Sequence, residues 1–67
     1  MNLSARNQFQ GTIDKITEGQ AMAEVSVNVG HLNFIAAITE ESVKQTGLKV
    51  GDNVTVAVKA TEVMIGK

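Results

Sequence analysis

Residues 39–52 read TEESVKQTGLKVGD, and this stretch decides between two folds. Thr39 can cap a helix, Glu40 and Glu41 fall in its first turn where the backbone dipole favours acid, Lys44 lies toward its end, and Gly47 is placed to stop it. The pattern predicts one short helix over residues 40–47 and a turn over 49–52. The rest of the chain is strand-like. A five-stranded Greek-key barrel of OB type takes such a helix as a plug between its third and fourth strands, whereas an SH3-like barrel with similar strand lengths does not ask for one.

Working outward, the strand ahead of the helix is LNFIAAIT at 32–39, with Leu32, Phe34, Ala36 and Ile38 expected to face the core. Its other face carries Ile35 and Ala37, which need a cover: a neighbouring subunit or the chain's own helix. The strand before that, AMAEVSVNV at 21–29, alternates cleanly. Ala21, Ala23, Val25, Val27 and Val29 share one face, and Met22, Glu24, Ser26 and Asn28 share the other. GHLN at 30–33 joins the two as a hairpin. Residues 5–17 place Phe9, Gly11 and Ile13 on one face but Ile16 on the opposite parity, so this long first strand is expected to bulge near Asp14 and Lys15. TEGQ at 17–20 forms the turn that follows. Beyond the helix, residues 53–60 alternate with Val54, Val56 and Val58 inward, and residues 62–66 supply a short fifth strand with Val63 and Ile65 on one face. The reading is a single all-β domain over residues 1–67, with no repeat or linker.

Composition limits what such a domain can do. A chain of 67 residues buries a thin core, and with no cysteine and one histidine neither a disulfide nor a structural zinc site can reinforce it, which leaves self-association. No apolar run approaches a membrane span and the N-terminus has no signal-peptide layout, so the expected location is cytoplasmic. Six Lys and Arg against seven Asp and Glu give a net charge of -1, and the two aromatic residues, Phe9 and Phe34, offer little for bases to stack on. Nucleic acid is therefore a poor partner. No nucleophile, base and orienting acid are grouped for catalysis, so an enzyme is not expected. His31 reads as a solvated turn residue, and Met22 and Met64 as packing or interface residues.

One arrangement of polar residues carries chemistry. In an extended SARN segment Ser4 and Arg6 project from the same face, and Lys59 and Thr61 repeat that spacing at the end of the fourth strand. The first and fourth strands of an OB barrel are antiparallel neighbours, which brings the two donor pairs together. Hydroxyls, an arginine, a lysine and nearby backbone N–H groups suit a small oxyanion that accepts hydrogen bonds from all sides. The same residue types also occur on an ordinary solvated strand face, and spacing alone does not decide between the two.

LSARNQF near the N-terminus, GQAMAEV at 19–25, ESVKQTGLKVGD at 41–52 and VKATEVMIGK at the C-terminus resemble the molbindins, small molybdate-binding proteins built on a TOBE-type OB module. The resemblance spans essentially the whole chain. It implies a cytoplasmic hexamer, a trimer of dimers, that stores or buffers molybdate and also accepts tungstate. It further implies an oxyanion site with Ser4, Ala5, Arg6 and Asn7 on one side and Lys59, Ala60 and Thr61 of an adjacent subunit on the other. A second oxyanion site is implied near Gly19, Gln20 and Ala21. Some relatives have serine where this chain has Ala60, which leaves that residue's backbone N–H as the contact.

Molybdate at neutral pH is a proton-free tetrahedral dianion, so a lining of donors satisfies it, whereas hydrogen phosphate carries a proton that wants an acceptor. No direct protein bond to the metal is needed. Two rival functions remain at this stage: an OB module for single-stranded nucleic acid, and a structural partner domain of a molybdate transporter that holds no anion itself.

Overall fold

The structure, a computed structural model, describes residues 5–67. Its elements are β1 (Asn7–Glu18), β2 (Met22–Val29), β3 (Leu32–Thr39), α1 (Glu40–Thr46), β4 (Asn53–Val58) and a 3-10 helix over Ala60–Glu62. Among the described residues the strands form one antiparallel sheet in the order β3-β2-β1-β4.

The expected bulge is present. Ile13 pairs with Val27 and Lys15 with Ser26, so Asp14 is the extra residue, and the parity change brings Ile16 opposite Val25 onto the half-buried side. A bulge bends its strand and increases the local twist, and β1 pairs with β4 over Asn7–Thr12 and with β2 over Thr12–Glu18. At the bend Ile13 donates its N–H to the Asp52 carbonyl at 3.0 Å, and its own carbonyl accepts from Gly51 N–H at 2.8 Å. The curl brings Phe9 of β1 and Phe34 of β3 into a stack across β2, ring centroids 5.4 Å apart and planes 26° from parallel.

Ile13, Ala23, Val25, Val27 and Val43 form the buried core, with Ile16, Val29, Ile38, Leu48, Val54 and Val56 packed around it. Val43 comes from α1, which closes one end of the curled sheet as its sequence predicts. Thr39 Oγ1 accepts from Ser42 N–H at 3.1 Å, and Gly47 stops the helix in the left-handed region at φ 67°. Loss of an N-cap hydroxyl typically costs about 1 kcal/mol, which in a domain of this size lowers Tm by roughly 4–8 °C. Thr39→Ala is expected to show that drop in thermal melts followed by circular dichroism; an unchanged midpoint would mean that Val43 burial alone holds the helix.

Three expectations need correction. The first strand begins at Asn7, so Ala5 and Arg6 precede it, and Ser4 lies outside the described residues. The fourth strand ends at Val58, and residues 62–66 form no strand. A strand needs a partner backbone, and the 3-10 helix takes the chain off the ladder immediately after β4. The sheet therefore has four strands where five were expected. Third, Leu32 and Ala36 are exposed, although the alternation of β3 had them facing the core. Among the described residues no fifth strand closes the space between β3 and β4, and the groove beside Ala36 stays open. Ile35, at 60% exposure, is not under the chain's own helix. The result is an apolar groove of about 420 Å³ between the two edge strands, reaching from Ile13 and Val25 at its floor to Ala36 and Val56 at its walls.

Candidate functional site

β1 and β4 pair from Thr12 opposite Asn53 to Asn7 opposite Val58. Antiparallel pairing sets the start of one strand against the end of the other. Arg6, one residue before the last rung, and Lys59, one residue after it, thus flank the same end of the sheet. Asn7 fastens that end: its Nδ2 donates to the Val58 carbonyl at 3.2 Å. Gln8 Nε2 donates to the Ala5 carbonyl at 2.7 Å and ties the incoming segment to β1. Asn7 is half-buried and engaged with β4, so its first role is to clamp the two strands that carry the charges.

Past Val58 the backbone stays extended through Lys59 and then winds into the 3-10 helix. Glu62 N–H donates to the Lys59 carbonyl at 2.9 Å, and Val63 N–H to the Ala60 carbonyl at 3.4 Å. The N–H groups of Ala60 and Thr61 stand at the start of this turn, where no earlier carbonyl is in position to accept them. Among the described residues neither donates a backbone hydrogen bond. Arg6, Lys59, Ala60 and Thr61 are all exposed. Among the described residues, one end of the sheet therefore presents a guanidinium, an ammonium, a hydroxyl and two N–H groups without a backbone acceptor. In chemical terms this is half of a donor shell, open to solvent on its far side.

The expected second group lies elsewhere. Gly19, Gln20 and Ala21 form the turn at the other end of β1. There Gly19 N–H donates to the Met22 carbonyl at 3.0 Å, and the Ala21 carbonyl accepts from Glu40 N–H at 2.9 Å. The structure does not bring this turn to Arg6 and Lys59. Its neighbours are acidic: Glu18 precedes it, and the Glu40 carboxylate keeps Oε1 shielded from solvent with no hydrogen-bond partner among the described residues.

The described residues hold no cluster of three or more His, Cys, Asp or Glu that could grip a metal ion directly. Among the described residues no helix is long and apolar enough to cross a membrane. The 3-10 helix is the feature that sequence reading missed. Ala60, Thr61 and Glu62 carry no signal strong enough over three residues to announce it, yet it turns the two N–H groups out of the ladder.

A family model described as the TOBE domain matches residues 3–65. The chain is also 39% identical over 66 residues to molybdenum-pterin-binding protein 2 of Clostridium pasteurianum, covering 97% of each. This chain is a TOBE-domain molbindin. Among solved structures, a molybdate-binding protein from Sporomusa ovata superimposes on this molbindin with a TM-score of 0.94 at 39% identity, covering all of both chains. The cytoplasmic molybdate-binding protein ModG, in a form with molybdate bound, matches at a TM-score of 0.83 and 39% identity. There the molbindin fold spans 90% of this chain and 43% of ModG. These relatives are binding proteins by their names.

Proposed function

We propose that this molbindin is an intracellular, non-catalytic store for molybdate, and for tungstate by the same chemistry. The anion is held at the boundaries of a homo-oligomer, a hexamer arranged as a trimer of dimers. The site is lined by Ser4, Ala5, Arg6 and Asn7 on one side and by Lys59, Ala60 and Thr61 on the other. The observation that carries this reading is the β1–β4 register, which sets Arg6 and Lys59 at one sheet end beside the Ala60 and Thr61 N–H groups, in a chain whose relatives bind molybdate.

Exposure supports the oligomeric form. A dianion on an open half-shell stays solvated on its outer side, where charge-assisted hydrogen bonds compete with water. Two such ends facing one another, from adjacent chains, would enclose it. Gly19, Gln20 and Ala21 would make a second kind of oxyanion site only where another chain supplies cations to offset Glu18 and Glu40.

Equilibrium dialysis of the pure protein against molybdate, with excess phosphate present, tests the reading. Uptake should persist, and saturating anion should raise Tm, since a ligand at one hundred times its Kd adds about 2.7 kcal/mol to the folded state. Native mass spectrometry of the same samples should show six chains. Absence of uptake overturns the proposal.

A further inference from the structure

The outward face of β1 carries a polar ladder to β4 that is broken at one rung. Gln10 Nε2 donates to Thr55 Oγ1 at 3.0 Å, and Thr12 Oγ1 donates to Asn53 Oδ1 at 3.2 Å, each reaching the residue directly opposite. Gln8 stands two residues earlier on the same face, opposite Ala57. An alanine side chain offers no acceptor. The Gln8 amide turns back along its own chain instead and donates to the Ala5 carbonyl at 2.7 Å.

The ring closed by that hydrogen bond contains Arg6. The backbone bends at Arg6, with half-buried Ala5 held on one side by Gln8. On the other side Asn7 is held by the last β1–β4 rung and by its Nδ2 contact with the Val58 carbonyl. Both neighbours of Arg6 are therefore fastened, and its side chain leaves the backbone from a set place relative to Lys59. A carbonyl can only accept, so the Gln8 amide turns its nitrogen toward Ala5 and its oxygen away. That oxygen has nothing to offer an oxyanion.

We infer that Gln8 is a positioning residue for Arg6: its amide straps the Ala5 carbonyl and so aims the guanidinium at the anion, without touching the anion itself. This rests on the molybdate site proposed above and names the element that sets up its arginine. Backbone fixed before binding does not have to be ordered during it, so affinity keeps what that ordering would consume. Ala57 is part of the device, because a hydroxyl there would compete for Gln8 as Thr55 holds Gln10.

Gln8 is exposed, so Gln8→Met removes the donor at similar length without opening the core. Molybdate titrations by calorimetry at one ionic strength, on wild type, Gln8→Met, Arg6→Ala and the double variant, complete a cycle. Gln8→Met alone should weaken binding roughly three- to tenfold, the worth of one neutral hydrogen bond. In the Arg6→Ala background the same change should matter less than about twofold, because the strap then has no guanidinium to aim. Losses that multiply show Gln8 acting independently of Arg6 and overturn the inference, as does a Gln8→Met protein that binds like wild type. Amide-nitrogen relaxation of the ligand-free proteins supplies a readout that needs no anion. The order parameter at Arg6 should fall from about 0.85 in wild type toward about 0.6 in Gln8→Met; equal order in the two overturns the strap. A wild-type protein that takes up no molybdate overturns the storage function, while the relaxation comparison still decides whether Gln8 holds Arg6.

Discussion

Arg6→Ala should lower molybdate affinity by about ten- to a hundredfold while leaving the ligand-free protein folded. Hydrogen bonds to charged groups contribute about 1.5–3 kcal/mol, and each 1.4 kcal/mol is a factor of about ten in Kd. Arg6 lies ahead of β1 and is exposed, so its removal takes no packing from the core and no rung from the β1–β4 ladder. Lys59→Ala should have an effect of the same order, because Lys59 occupies the matching position past the last rung. Arg6→Lys tests the shape of the contact: it keeps the charge but loses the planar fork that can present two parallel donors to two oxygens. It should fall between wild type and alanine. Isothermal titration calorimetry of the three variants, at one fixed ionic strength, gives the order. Unchanged affinity in Arg6→Ala would move the anion away from this end of the sheet, with the Gly19–Ala21 turn as the remaining candidate.

Features legible in the sequence were those set by neighbours along the chain. The helix could be read because Thr39 and Gly47 act on groups within four residues of themselves. The bulge showed as a broken parity between Ile13 and Ile16, which only an extra residue between them can reconcile. The placement of Arg6 and Lys59 at one end of the sheet required the topology as well, since it comes from the β1–β4 pairing. Closure of the barrel was a different kind of question. Alternation at Val63 and Ile65 reports an apolar face that wants covering, but it does not say which chain supplies the cover. The exposure of Ala36 is the other side of that ambiguity, since it lines the open groove between β3 and β4.

Gly11 shows how a packing constraint can hide behind a correct pattern. It was read as one member of the apolar face of β1, between Phe9 and Ile13, and its lack of a side chain turns out to set how closely β2 approaches. A Cβ built at Gly11 would stand 2.7 Å from the Asn28 carbonyl oxygen, 2.7 Å from Val27 Cγ1 and 2.8 Å from Val29 Cγ2. The valine methyls could rotate, but the carbonyl belongs to the β2 backbone and moves only if the strands part. Two effects oppose each other in Gly11→Ala. Glycine inside a strand costs roughly 0.5–1 kcal/mol of conformational entropy relative to alanine, which favours the substitution. Overpacking a tight core costs typically 1–3 kcal/mol, and a backbone contact places this site toward the upper end. The clash wins, and Gly11→Ala should be destabilised by about 1–2 kcal/mol net, a fall in Tm of roughly 5–15 °C at this chain length. Gly11→Val adds two methyl groups to the same space and should prevent a cooperative transition at ambient temperature. Gly66→Ala is the control, since a Cβ there meets nothing within 4 Å, and it should melt with the wild type. Melts belong at one protein concentration, because association shifts Tm by mass action. A Gly11→Ala protein as stable as its parent would mean that β1 and β2 lie farther apart at Asn28 than the ladder places them, and the curl that brings Phe9 onto Phe34 would lose its tightest contact.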